Sequence, residues 1–175
     1  DSLFTVINQS ATPAQLKDIE KIFVTSITNA ATMDLTNATG VESVVNQASQ
    51  TALTLSGMST AVAVTVQDTA IAGQVVAYSG VTGLTDEATV TLQNVTGAAT
   101  LTVAGVETLN LATAGTNAQT LANLIAANAT TVNVSGSSAL NLGTASAGAI
   151  TTVDATGLTG VLTLSLAQAG PVSVT

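Results

Sequence analysis

Of the side chains that ordinarily do chemistry, this sequence offers almost only carboxylates: ten Asp and Glu stand against two Lys, with no Arg, His or Cys. Nucleophilic and general acid–base catalysis need a base, a nucleophile or a metal held in a defined place, and the set for that is nearly empty. Glycoside hydrolysis can run on a pair of carboxylates, but the only adjacent pair is Asp86-Glu87. Neighbours on a strand point to opposite faces, and in a loop they are solvated. The residues therefore read as non-enzymatic. Calcium binding suits them better, because its coordination is met by carboxylate, amide and backbone oxygens. Asp86, Glu87 and Asp154 lie in or beside turn-like sequence and are the calcium candidates. Against them stands the ordinary role of such residues as solvated Asx-turn positions, and no Asp-x-Asp-x-Asp spacing concentrates the ligands. Glu20, Glu42 and Glu107 occupy one pattern position, apolar-Glu-polar-apolar, which points to a structural role at the edge of a repeat.

The elements that must position these groups are drawn from an unusual composition. Of 175 residues, 46% are hydrophobic but only 2% aromatic, so any core is built from Val, Leu, Ile and Ala and is thin. A thin core suits a narrow solenoid better than a thick globule. Charged residues make up 7% of the chain, far below the usual quarter or so, and Thr, Ser, Asn and Gln must cover the surface. Formal net charge is -8, and both cations, Lys17 and Lys21, lie near the start. Such a chain neutralises no phosphate backbone, which excludes nucleic acid, and it lacks the basic cluster that docks on anionic lipid. The most apolar stretch, 61–77, is interrupted by Gln67, Asp68 and Gln74 and falls short of a membrane span. Absence of Cys fits an extracellular chain that uses no disulfide, and a cytosolic one as well. The chain opens on Asp1 with no Met and no signal-like segment, as a fragment or processed product would. Asn-x-Ser/Thr sequons at Asn8, Asn37, Asn94, Asn128 and Asn133 are what so much Ser and Thr produces by chance.

Apolar and polar residues alternate in short runs such as 62–66, 90–92, 109–111, 132–134 and 162–166, each a half-buried strand. Ser56-Gly57, Ser79-Gly80, Thr96-Gly97, Ser135-Gly136 and Thr156-Gly157 punctuate them as turns. The phrases Thr108-Leu109-Asn110-Leu111, Thr131-Val132-Asn133-Val134 and Thr152-Val153-Asp154 recur about every 21 to 23 residues, a repeat-architecture period. Two short strands fit each interval. The pattern predicts an all-β, right-handed parallel β-helix of about eight rungs, ~4.8 Å each and so roughly 40 Å long, with Val44, Leu109 and Val132 in one core. An antiparallel sandwich is the alternative. Two segments read as helical. Thr12-Pro13-Ala14-Gln15 carries a cap, a first-turn Pro and a Gln three residues on, and Thr116-Asn117-Ala118-Gln119 repeats the cap ahead of Leu121, Leu124 and Ile125 at helical spacing. They predict a short helix in a lead-in over 1–18 and an inserted helix near 117–127 of a solenoid domain covering 19–175. Apolar alternation up to Val172 and Val174 predicts open end rungs that invite pairing.

The run Thr152-Val153-Asp154-Ala155-Thr156-Gly157-Leu158-Thr159-Gly160-Val161-Leu162-Thr163-Leu164 resembles a segment common in bacterial surface-layer proteins and related RTX-type secreted proteins. The phrase Val106-Glu107-Thr108-Leu109-Asn110-Leu111 is similar to another of that group. The group's calcium nonapeptide, beginning Gly-Gly-x-Gly-x-Asp, is absent. The resemblance implies secretion without a cleaved N-terminal signal, display on the bacterial cell surface, self-association into a calcium-dependent lattice, and contact with surface polysaccharide through other parts of the chain. A surface adhesin or carbohydrate-binding module is the alternative, for which the aromatic platforms are limited to Phe4, Phe23 and Tyr78.

Overall fold

A run in which every second residue is Val, Leu or Ile buries only one face, and it needs a neighbour on each side to complete its backbone hydrogen bonds. In the computed structural model of the chain, each such run lies parallel against the equivalent run one turn earlier and one turn later. The structure describes residues 1–13, 15–69, 73–97, 99–146, 150–167 and 170–175.

The strands are β1 (Ser2–Ile7), β2 (Leu16–Lys17), β3 (Lys21–Ser26), β4 (Ala31–Asp34), β5 (Ala38–Thr39) and β6 (Ser43–Gln47). There follow β7 (Leu53–Met58), β8 (Ala63–Gln67), β9 (Gln74–Tyr78), β10 (Glu87–Gln93), β11 (Ala99–Ala104) and β12 (Thr108–Ala114). The last six are β13 (Gln119–Ile125), β14 (Thr131–Gly136), β15 (Leu140–Ser146), β16 (Thr152–Leu158), β17 (Leu162–Leu166) and β18 (Ser173–Val174). Nine of them form one sheet in the order β1-β3-β6-β8-β10-β12-β14-β16-β18, and seven form a second, β17-β15-β13-β11-β9-β7-β4. A short pair, β2 and β5, makes a third side at the first turns. The object is a β-solenoid of about 8 turns.

The recurring phrases are in register. Thr108 pairs with Thr131 and that with Thr152; Leu109, Val132 and Val153 follow, then Asn110, Asn133 and Asp154. Val44, Leu109 and Val132 are all buried in one continuous cluster with Ile22, Val64, Val90, Leu111 and, from the other sheet, Leu55, Leu101, Leu121 and Leu142.

The described residues contain no helix, and so none long and apolar enough to cross a membrane. The helix expected near 117–127 is instead β13, held between β11 and β15. Its apparent helical spacing comes from a bulge: Leu121 pairs with Ala99 but Asn123 pairs with Thr100, so Ala122 is passed over. That extra residue brings Leu121 and Leu124 both inward, imitating an i, i+3 pattern in an extended strand. At the other expected helix start, Ala11 bridges Met33 and the chain enters β2; Ala14 lies outside the described residues. Within 1–18, β1 pairs with β3 along its whole length.

The corner after the nine-stranded sheet is a stack of left-handed residues, Thr28, Ala48, Asp68, Asn94 and Gly115. Ala48 N donates to Gln67 O (2.8 Å) and Asp68 N to Gln93 O (2.9 Å), so each corner is tied to the next turn. At Gly136, φ is +115° and a Cβ would stand 2.1 Å from the carbonyl oxygen of Thr113, so only glycine fits. Turn length varies: equivalent residues Thr130 and Thr151 are 21 apart, Asn110 and Asn133 are 23 apart, and Asp68 and Asn94 are 26 apart. The longest turn carries a loop over 79–86 whose Leu84 is 88% exposed.

Candidate functional site

The candidate cation ligands fall in two places. Asp86 and Glu87 lie at the corner leading into the nine-stranded sheet, where Glu42 N donates to Glu20 O (2.8 Å) and Glu107 N to Asp86 O (3.0 Å). This corner is where the apolar-Glu-polar-apolar phrase sits, at the edge of a rung. Three of its carboxylates are engaged locally. Asp86 Oδ2 accepts from Gly83 N (2.9 Å), Glu107 Oε2 from Asp86 N (3.0 Å), and Glu87 Oε1 from the Asn110 amide (2.6 Å). Asp154 is three strands further along the sheet, on its outer face beside Asn133. Its Oδ1 accepts from Thr156 Oγ1 (2.6 Å) and Thr156 N (2.9 Å), an Asx-type turn, and these bonds hold its carboxyl below the ordinary range. The structure thus brings Asp86 and Glu87 together and leaves Asp154 apart. Among the described residues no group of three or more Asp, Glu, His or Cys converges as a metal set would.

Asp34 repeats the Asp154 arrangement with Thr36 (2.6 Å to Oγ1, 3.0 Å to N), and its carboxyl is lowered for the same reason. The shared signal, Asp-x-Thr, was readable in Asp34-Leu35-Thr36 and Asp154-Ala155-Thr156. Asp68 is lowered by the amides of Asn94 and Gln67.

A second polar group lies inside, at the corner where the chain passes from the nine-stranded to the seven-stranded sheet. Asn46 and Gln74 are buried and bonded to each other, Ser49 bonds Asn46, and Ser49 Oγ accepts from Ser26 N (2.9 Å). Gln119, fully buried, accepts from Val95 N (2.8 Å) and donates to the carbonyls of Ala114 (2.8 Å) and Asn117 (2.6 Å). Ser49 and Gln119 thereby satisfy backbone groups that the corner turns away from the ladders, whereas Asn46 and Gln74 bond side chains and the Gln74 amide nitrogen has no partner among the described residues. Apart from Gln119, sequence reasoning passed over them; the signal was an amide at an inward position of the alternation.

On the outer face of the nine-stranded sheet the only two Phe residues stack, ring centroids 4.4 Å apart and planes within 3°, with Lys21 Nζ 4.9 Å from the Phe23 centroid. Phe4 is 70% exposed. Further along, the Asn133 amide donates to Asn110 Oδ1 (2.8 Å), continuing the line that begins at Glu87. A cleft of about 270 Å³ opens beside β5, lined by Leu35, Val41, Met58 and Val62 with Ser59 and Ser79 and no charged side chain. Neither the carboxylates nor the cleft combines a nucleophile with a base. Comparison with protein-family models, curated proteins and solved structures finds no match.

Proposed function

We propose that this chain is a structural segment of a bacterial surface layer, an extracellular lattice that assembles from copies of one protein, and that it does no catalysis. The observation that carries the reading is the parallel ladder running turn on turn through the chain, with Asn110, Asn133 and the Asx-turn carboxylates tied to neighbouring residues and not gathered into a site. Such a rod offers repeated faces for lateral contact. The resemblance of 152–164 and 106–111 to surface-layer and RTX-type segments supports the same reading.

Calcium acts between copies in this scheme. Ten carboxylates against two lysines repel at contacts, and a divalent cation shared by carboxylates of adjacent molecules removes that repulsion with a geometry that monovalent salt does not supply. The test compares thermal unfolding of this chain, and lattice formation by the intact protein in electron micrographs, with calcium, with chelator, and with sodium at matched ionic strength. Melting should shift little and the lattice should vanish on chelation. A large calcium-induced rise in melting temperature would move the cation to internal sites, with Asp86, Glu87 and Asp154 first to substitute. No ordered assembly under any condition would overturn the surface-layer reading.

The stacked Phe4–Phe23 pair, with Phe4 exposed and Lys21 over the Phe23 ring, favours one second reading, a carbohydrate-binding surface module. Under it, Phe4→Ala abolishes retention on cell-wall polysaccharide and leaves assembly intact.

A further inference from the structure

We propose that two copies of this chain pack face to face through the outer surface of the seven-stranded sheet. The inference rests on the assembly reading above and names the surface that assembly uses. Its basis is where the charges are. From β7 to β17 that sheet contains no Asp, Glu or Lys; its one charged residue is Asp34, on the edge strand β4. The nine-stranded sheet carries Lys21, Glu87 and Asp154, and Glu42, Asp86 and Glu107 line the corner leading into it.

In a chain of net charge -8, approach through that corner brings carboxylates together, and the nine-stranded sheet beside it adds Glu87 and Asp154 against the one Lys21. The seven-stranded face is the surface on which two copies meet with those carboxylates turned away. It is also inexpensive to desolvate. Thr54, Val75, Thr102 and Ile125 align in one row across four strands, a mixture of methyl groups and single hydroxyls with no ammonium or carboxylate to strip of water.

The area is adequate for a reversible contact. Six strands at ~4.8 Å spacing and five residues at ~3.3 Å give a face of roughly 29 by 17 Å, so about 1,000 Å² in total is covered by a two-fold pair. That sits at the threshold of a specific interface, as expected of a unit that associates weakly alone and gains from repetition. The contact needs no cation, which separates it from calcium bridging at the carboxylate edges.

Sedimentation velocity of this chain in chelator tests it, with sodium chloride varied. A dimer is expected that strengthens as salt rises, because screening reduces repulsion between the charged remainders and there is no ionic contact to weaken. Thr102→Glu should raise the dissociation constant about tenfold or more by facing carboxylates across the contact, while Thr91→Glu, on the outer face of the nine-stranded sheet and equal in added charge, should not. Circular dichroism melts confirm that both variants fold. Should Thr102→Glu fail to fold, Thr102→Cys bearing a spin label in this Cys-free chain replaces it, and its spectrum should broaden on dimerisation while that of labelled Thr91→Cys should not. Equal effects of the two Glu variants, or a dimer that salt dissolves, would overturn this face and leave the assembly reading standing. So would a monomeric chain alongside an intact protein that still forms lattices. Absence of lattice from the intact protein would defeat the assembly reading itself.

Discussion

Replacing Tyr78 by Phe is expected to stabilise the protein. Tyr78 ends β9 opposite Met58, is 7% exposed, and its hydroxyl has no hydrogen-bond partner among the described residues. A buried, unsatisfied hydroxyl costs on the order of 1–3 kcal/mol, and Phe keeps the ring while removing that group. A gain of about 1–2 kcal/mol should raise the melting temperature by roughly 2–8 °C in a chain of this length. Burial also pushes the phenol pKa up from 10.0 to about 12. Its neutral form is the one the fold prefers, so its contribution is fully present below pH 10 and is lost as pH rises through 12. At ~1.36 kcal/mol per unit, the loss approaches 2.7 kcal/mol. Urea melts of wild type and Tyr78→Phe from neutral pH to pH 12 should therefore diverge with pH, the variant lacking that decline. With one Tyr and no Trp, near-ultraviolet absorbance follows the same ionisation directly. Destabilisation by Tyr78→Phe of more than about 1 kcal/mol, or a phenol titrating near 10, would refute the unpartnered hydroxyl.

Two further outcomes follow from the corners and the Asx turns. Gly136→Ala sets a Cβ 2.1 Å from a carbonyl oxygen at φ +115° and should cost roughly 3 kcal/mol or more in urea melts. Gly80→Ala, at φ +74° with nothing within 4 Å, should cost only about 1 kcal/mol. On the acid side, Asp34 and Asp154 are held below 3.8, so the stability they contribute is present above about pH 4 and is lost as pH falls through their folded values. The double variant Asp34→Asn with Asp154→Asn should show a shallower acid limb than wild type in melts below pH 4; superimposable limbs would count against the turns.

The fold was legible where burial is one-sided and repeated. The alternation in Leu109-Asn110-Leu111 and Val132-Asn133-Val134 fixes which face turns inward, and the recurrence of Thr-apolar-Asn fixes the register, because a slip of one residue would bury the Asn ladder and expose the core. The pattern misled at 117–127 because a bulge in a strand and a turn of helix both place residues i and i+3 on one side. Gln119 satisfies backbone groups of a solenoid corner and caps no helix, contrary to what its place after Thr116 suggested. The Asn46–Gln74 pair was illegible for a different reason: its two members lie 28 residues apart, and no local pattern pairs residues so distant. Of the candidate ligands, proximity in sequence located Asp86 with Glu87, whereas Asp154 shared only a residue type with them.

The 79–86 loop shows that the ladders on either side stay in parallel register while the turn between them grows. Rod length and surface decoration are therefore separately adjustable in this architecture: adding a turn lengthens the rod, and lengthening a corner changes only what projects from it. For protein engineering, the stretch between Ser79 and Asp86, with Leu84 in solvent, is a natural graft point for a foreign peptide. A loop so placed can change in length and sequence without refolding the interior that carries it.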